Sequence, residues 1–123
     1  MAHILLFDDD EQFRTMLAQM LRQDNHQVTV ACDGEEGLRL AGQVTPDLII
    51  TDILMPNMGG LEIIIALKRD GRKIPIIAIS GGRRIISADF NLESASMIGV
   101  KVTLAKPFDR AALRLAIDRA LSC

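Results

Sequence analysis

The stretch ILLFDDD, residues 4–10, joins four apolar residues to three consecutive aspartates. A short, uninterrupted apolar run is typical of a parallel β-strand that is buried on both faces. Three adjacent carboxylates at the end of such a strand repel one another, and the repulsion grows as water is excluded. The stretch therefore predicts a buried strand that brings acidic groups to a place where a positive charge must offset them.

The pattern of a short apolar strand followed by a helix recurs along the chain. Further strands are predicted at residues 27–31, 48–51, 74–79 and 101–104. Five strands alternating with five helices predict an α/β domain with an open, doubly wound parallel sheet that is covered on both faces. Strand order does not follow from one sequence. The order 2-1-3-4-5 is typical of the flavodoxin-like version of this architecture, and we expect it here.

The first predicted helix carries an apolar stripe, and its members recur at helical spacing: Phe13, Met16, Leu17, Met20 and Leu21. We expect this stripe to face the core, with the methionines acting as packing residues. Asp10 precedes the helix and is expected to begin it, because a negative charge is favourable at a helix N-terminus. Asp109 is likewise predicted to cap the last helix.

Composition limits the possible classes of protein. The 123 residues are 49% hydrophobic but only 3% aromatic, which predicts one domain, residues 1–123, with an aliphatic core and no separate output domain. A net charge of -2 predicts no general attraction to nucleic acid or to an anionic membrane. Cys32 and Cys123 form no metal or redox motif, and no apolar run is long enough to span a bilayer. We expect a cytoplasmic protein.

Charged and hydroxyl side chains follow the predicted strands at the points where those strands end. Asp8 and Asp9 follow the first strand, Asp52 the third, Ser80 the fourth and Lys106 the fifth. The carboxyl ends of parallel strands form the edge at which functional groups of such sheets gather. Clustered carboxylates with no histidine or cysteine nearby suit a hard divalent cation such as Mg²⁺. Together with a lysine, such a site could accept a phosphoryl group, with one aspartate as the nucleophile.

Four motifs, in order and each at a predicted strand end, carry a resemblance to a known family. They are ILLFDDD at residues 4–10, LIITDILMPNMGG at 48–60, IIAISGG at 76–82 and LAKPF at 104–108. Over essentially its whole length the chain resembles the receiver domain of two-component response regulators, of the stand-alone type typified by chemotaxis regulators.

The resemblance implies a role for each strand-end residue. Asp52 would be the phosphoacceptor, Asp9 a direct metal ligand, and Asp8 a second acidic partner that acts partly through water. The backbone carbonyl of Leu54 would complete the protein ligands of Mg²⁺, for which Mn²⁺ is a possible substitute.

Two further residues would act on the phosphoryl group. Lys106 would pair with one phosphoryl oxygen, and the hydroxyl of Ser80 would bond another once the group is present. We expect slow loss of the phosphoryl group, because Leu54 and Gly82 offer no side chain that could hydrogen-bond an attacking water.

The resemblance also implies the function. The protein would be a phosphorylation-activated switch that accepts a phosphoryl group from a sensor histidine kinase or a phosphotransfer protein. It would signal by altered binding to a downstream protein target, without direct nucleic-acid contact or membrane insertion. It would phosphorylate and slowly dephosphorylate itself, without being a turnover enzyme.

The sequence departs from the family pattern in three places. Gly59 stands where the loop motif MPxMDG usually has an acidic residue, which should loosen the start of the third helix. Thr103 stands where receivers usually carry a Tyr or Phe that acts as a rotamer switch, so an aromatic switch cannot operate there. The segment at residues 81–98 is longer than usual. It is either a surface insertion in a variable connection or a specialised surface for a partner.

Two other functions compete with the phospho-switch. A phosphatase of the haloacid dehalogenase type would use Asp8 and Asp10 as its Asp-x-Asp motif. Against it, Gln12 stands where that family usually has Thr or Val, and the chain is short for a substrate cap. The third possibility is a receiver-like interaction module that is not phosphorylated.

Overall fold

The protein is described from a computed structural model, which covers residues 2–8, 10–52, 74–81, 102–106 and 108–122. In these ranges five parallel strands form one sheet in the order β2-β1-β3-β4-β5, which confirms the expected topology. The strands are β1 (His3–Phe7), β2 (Gln27–Ala31), β3 (Leu48–Asp52), β4 (Ile76–Gly81) and β5 (Val102–Lys106). β1 therefore lies inside the sheet, between β2 and β3.

Three helices lie within the described ranges: α1 (Glu11–Gln23), α2 (Gly34–Val44) and α3 (Arg110–Leu121). Each begins at an aspartate whose carboxylate accepts a hydrogen bond from the amide three residues later, namely Asp10, Asp33 and Asp109. This confirms the caps predicted at Asp10 and Asp109 and adds a third at Asp33. Each cap satisfies an amide that has no partner within the helix. The other two predicted helices, in residues 53–73 and 82–101, lie outside the described residues. None of the three described helices has the length and apolar character needed to cross a bilayer.

The main core lies between the sheet and the pair α1 and α3. Side chains alternate along each strand, so Ile4 and Leu6 of β1 point to this side, where they meet Leu17 of α1 and Leu113 of α3. Among the described residues, those buried in this main core are all aliphatic, as the composition predicts. Phe7 points to the other side of the sheet, where the backbone of Gly37 in α2 lies directly against its ring.

Two expectations about the elements need correction. Met16 was expected to face the core, but it is 47% exposed. The buried residues of α1 are Leu17, Ala18 and Leu21, and Met16 precedes this stripe by about 100° of helix rotation, which turns its side chain away from the sheet. β4 and β5 also end two residues further along the chain than predicted, so Ser80 and Lys106 belong to the strands themselves.

Candidate functional site

Three charged side chains lie at the carboxyl edge of the sheet because of where their strands end. Asp8 follows β1 directly, and Asp52 and Lys106 are the last residues of β3 and β5. β1 and β3 are neighbours, whereas β4 separates β3 from β5. Asp8 and Asp52 therefore emerge side by side, and the long side chain of Lys106 spans β4 to reach them.

The lysine ammonium bonds to both carboxylates. Lys106 Nζ lies 3.3 Å from Asp8 Oδ2 and 3.2 Å from Asp52 Oδ2. The carboxylate side chains are only 1% and 5% exposed, while that of Lys106 is 21% exposed. By formal charge, two carboxylates and one ammonium leave one negative charge unbalanced. The site thus holds excess negative charge in a place that water barely reaches.

Asp8 is oriented by backbone and side-chain partners. Its Oδ1 accepts a hydrogen bond of 2.9 Å from the amide of Asp10, and its carbonyl oxygen accepts one of 2.7 Å from Arg14 Nη1. Burial raises the pKa of Asp8 above its ordinary value of 3.8, although the Asp10 amide and Lys106 act in the opposite direction. The surroundings of Asp8 therefore disfavour its charge more than they stabilise it.

The electrostatic surroundings of Lys106 have the opposite balance. Burial alone would lower its pKa, but attraction to Asp52 and Asp8 outweighs burial, and the pKa is raised above its ordinary value of 10.5. The side chain is therefore an ammonium at neutral pH. Its Nζ also lies 3.9 Å from the centroid of the Phe13 ring.

The donor atoms present fit a hard divalent cation. Asp8 and Asp52 offer only oxygen, and their excess negative charge is what Mg²⁺ would neutralise. Within the described ranges, no group of three or more His, Cys, Asp or Glu side chains is placed to hold a metal ion. The other two predicted ligands, Asp9 and Leu54, lie outside those ranges.

The remaining predicted residues are placed only in part. The backbone of Ser80 lies in β4 beside Ala105 of β5, which puts this residue between the strands that carry Asp52 and Lys106. Thr103 lies in β5 opposite Ala78, so no aromatic ring occupies that position. Gly82 and most of the segment at residues 81–98 lie outside the described residues.

Sequence reasoning missed the contact between Phe13 and the lysine. Phe13 was interpreted only as a member of the apolar stripe of α1. Its position in the first turn of a helix that starts beside Asp8 is the signal that could have pointed to the site.

The comparison with protein families decides the identity of this arrangement. Residues 4–118 match the family model described as the response regulator receiver domain. The chain belongs to this family. It is a receiver domain of two-component response regulators, a signalling domain with the flavodoxin-like fold.

Individual relatives agree with the family match. This receiver domain is 34% identical over 96 residues to the transcriptional regulatory protein AfsQ1 of Streptomyces coelicolor, covering 78% of the chain and 42% of AfsQ1. It is 34% identical over 120 residues to the transcriptional regulatory protein GlrR of Escherichia coli, covering 98% of the chain and 26% of GlrR. The receiver domain thus spans less than half the length of these two relatives.

A solved structure of similar size has the same fold. The chemotaxis protein CheY4 of Vibrio cholerae superposes with a TM-score of 0.87 at 29% identity. The match covers 98% of this chain and 99% of CheY4.

Proposed function

We propose that this receiver domain accepts a phosphoryl group on Asp52. The observation that carries the proposal is the pair of buried carboxylates, Asp8 and Asp52, joined by one ammonium at the carboxyl edge of the sheet. Asp52 would be the nucleophile because it ends β3, the central strand, which lies between the strands next to Asp8 and Lys106, and because Lys106 Nζ is 3.2 Å from its Oδ2. Phosphoryl transfer requires positioning and charge neutralisation. The buried strand end would position Asp52, while Lys106 and a bound cation would neutralise the charge.

The donor would be a phosphohistidine on a sensor histidine kinase or a phosphotransfer protein. An oxygen of Asp52 forms the new bond to phosphorus, and the electron pair of the broken P–N bond leaves with the imidazole. Lys106 lies close enough to Asp52 Oδ2 to pair with an oxygen of the arriving group and to offset its charge. The product is an acyl phosphate on Asp52.

The proposed metal is Mg²⁺, with Mn²⁺ as a substitute, held by Asp8, Asp9, Asp52 and the backbone carbonyl of Leu54. When bound, it supplies positive charge and orients the reacting oxygens. The two described ligands support this proposal through their buried oxygens and excess negative charge. Asp8 is already turned toward the site by the hydrogen bond from the Asp10 amide.

The proposed output is altered binding of a downstream protein. Ser80 would bond a phosphoryl oxygen, and its place in β4, between Asp52 and Lys106, supports that role. Because Thr103 replaces the usual aromatic residue, the change would reach the surface without an aromatic switch at that position. Loss of the phosphoryl group would be slow, since neither Leu54 nor Gly82 has a side chain that could hydrogen-bond water.

The test is phosphorylation by acetyl phosphate in the presence of Mg²⁺, followed by intact-protein mass spectrometry. Wild type should gain the mass of one phosphoryl group, and Asp52→Asn should not. Asp33→Asn is the matched control, because Asp33 caps α2 and asparagine also caps helices well. A mass gain that survives Asp52→Asn contradicts the proposal, and no gain in wild type favours an interaction module that is not phosphorylated.

The same variants test the phosphatase alternative. That function requires Asp8 and Asp10 as a catalytic pair, but the Asp10 side chain accepts a hydrogen bond from the Phe13 amide and caps α1. Turnover of a phosphomonoester that persists in Asp52→Asn and is lost in Asp8→Asn would favour the phosphatase.

A further inference from the structure

The Phe13 ring forms part of the surroundings of the lysine ammonium. Phe13 lies in the first turn of α1, and Lys106 Nζ is 3.9 Å from the centroid of its ring. This is well inside the range of about 6 Å in which a cation is attracted to an aromatic face. The attraction is stronger where water is excluded, and most of the Lys106 side chain is buried.

Among the described residues, the ring adds a third contact to the two that the carboxylates provide. An ammonium has three N–H groups, and hydrogen bonds run from Lys106 Nζ to Asp8 and Asp52. A bound divalent cation would compete for those same carboxylate oxygens. The ring is not a ligand for a hard cation, so its attraction to the ammonium persists when the carboxylates are engaged elsewhere.

The position of Phe13 is coupled to the site through the backbone. Its amide donates a hydrogen bond of 3.2 Å to Asp10 Oδ1, and the amide of Asp10 donates one of 2.9 Å to Asp8 Oδ1. Asp8 Oδ2 in turn accepts from Lys106 Nζ. Three hydrogen bonds and one ring contact therefore connect the cap of α1, the Phe13 ring, the Lys106 ammonium and the Asp8 carboxylate.

A second ring braces the first. Phe108, two residues beyond Lys106, meets Phe13 edge to face, with ring centroids 5.8 Å apart and an interplanar angle of 88°. This is the geometry that aromatic pairs prefer. Both rings are partly buried and pack against the main core. Packing against Phe108 therefore limits the motion of the Phe13 ring, which keeps its face in position for the Lys106 ammonium.

We infer that Phe13, braced by Phe108, is a positioning residue that holds the Lys106 ammonium beside Asp52 during phosphoryl transfer. The inference rests on the proposed function, because it assigns Lys106 to the phosphoryl group. It goes beyond it by adding a neutral aromatic side chain to the machinery.

The contact itself is tested by NMR on the metal-free, unphosphorylated protein. Protons next to Lys106 Nζ lie over the ring face, so ring-current shielding should move their resonances upfield. Phe13→Leu should abolish the upfield shift, and Phe13→Tyr, which keeps the ring, should retain it. Lys106 resonances that are the same in wild type and Phe13→Leu would overturn the inference.

The positioning role is tested by the rate of phosphorylation with acetyl phosphate at saturating Mg²⁺. Phe13→Leu should be slower by about fivefold, the factor that corresponds to about 1 kcal/mol of lost attraction. Phe13→Tyr should stay near the wild-type rate. The Mg²⁺ concentration that gives half the maximal rate should be unchanged, because the ring is not a metal ligand.

A destabilised control separates positioning from a general loss of packing. Leu21→Val alters a fully buried residue two turns further along α1 and should keep the wild-type rate. If Leu21→Val and Phe13→Leu slow the reaction equally at equal stability, the role of Phe13 is structural and the inference fails.

The two proposals fail in different ways. Wild type that phosphorylates on Asp52, with Phe13→Leu equally fast, overturns the inference and leaves the proposed function intact. Wild type that takes no phosphoryl group on Asp52 overturns the proposed function and the positioning role together, while the NMR shift still reports whether the contact exists.

Discussion

Replacing Gly37 with alanine should destabilise the protein, although glycine is a poor helix former. Gly37 lies within α2, and a Cβ atom there would meet three carbons of the Phe7 ring at 2.5, 2.5 and 2.7 Å. Carbon atoms attract one another best at about 3.5–4.0 Å, so the new methyl group overlaps the ring by about 1 Å. Phe7 is fully buried.

Two effects of opposite sign decide the magnitude. Alanine in place of glycine inside a helix gains about 0.8–1.0 kcal/mol of intrinsic propensity. Overpacking a well-filled core costs about 1–3 kcal/mol. The clash here is with a fully buried aromatic ring on an interior strand, so we expect the upper part of that range. The net loss in the free energy of unfolding should be about 1–2 kcal/mol.

The assay is urea unfolding followed by far-UV circular dichroism, because the chain has no Trp or Tyr to report by fluorescence. Gly42→Ala is the matched control. Gly42 lies in the same helix and is exposed, so this variant should be more stable than wild type by about 0.5–1 kcal/mol. We therefore expect Gly37→Ala to lower the free energy of unfolding and Gly42→Ala to raise it.

The clash should also reach the functional site, because Phe7 is the residue before Asp8. A displaced ring would move the end of β1, so Gly37→Ala should weaken binding of Mg²⁺ while Gly42→Ala should not. The double variant Phe7→Leu with Gly37→Ala should lose less free energy of unfolding than the two single variants lose together, since the smaller side chain makes room for the new methyl group. If Gly37→Ala is as stabilising as Gly42→Ala, the close packing of α2 on Phe7 is refuted.

Further predictions concern the charged groups. Asp8→Asn should raise the midpoint of thermal unfolding of the metal-free protein at neutral pH, because burial disfavours the charged form of Asp8. The difference in midpoint between Asp8→Asn and wild type should shrink as the pH falls through the raised pKa of Asp8, because Asp8 then takes up a proton. A difference in midpoint that grows on acidification would contradict the raised pKa. Mg²⁺ at about 100 times its dissociation constant should stabilise wild type by about 2.7 kcal/mol, measured by calorimetry, and a chelator should reverse the gain. Asp52→Asn should lose most of that gain, and an undiminished effect would place the ion elsewhere. Asp24→Asn should lower stability at neutral pH, because hydrogen bonds from Arg114 and Arg110 hold the pKa of Asp24 well below its ordinary value of 3.8. Its contribution is fully present above that ordinary value and is lost as the pH falls toward the lower folded-state pKa. Thermal unfolding in low and high salt checks this, and a difference that salt does not reduce would exclude an exposed ion pair.

Much of the local structure could be predicted from short stretches of sequence. The apolar run at Ile4–Phe7 and the aspartates before the helices are local signals, because strand burial and helix capping depend on residues close in the chain. The ends of the strands were less well predicted, because they depend on which neighbouring strand supplies hydrogen-bond partners. The exposure of Met16 was not predicted, because the buried face of a helix depends on what packs against it.

The site was predicted only through the fold. The carboxyl edge of a parallel sheet explains why Asp8, Asp52 and Lys106 converge, and the resemblance to receiver domains supplied the roles proposed for them. The contact of the Phe13 ring with the ammonium was not predicted, although Phe13 lies in the first turn of a helix that starts beside Asp8. The bonds from two arginines of α3 to Asp24 at the end of α1 were not predicted either.

By itself, then, the sequence determined the elements, the acidic strand ends and the aliphatic core, because these follow from the chemistry of neighbouring residues. Only the tertiary structure decided which charges meet. Lys106 is separated by 98 residues from Asp8 and by 54 from Asp52, and the contact exists because β5 and β1 end on the same edge of one sheet. The balance of burial and attraction at that edge raises the pKa of both Asp8 and Lys106. Such a balance depends on distances through space, which the order of residues along the chain does not contain.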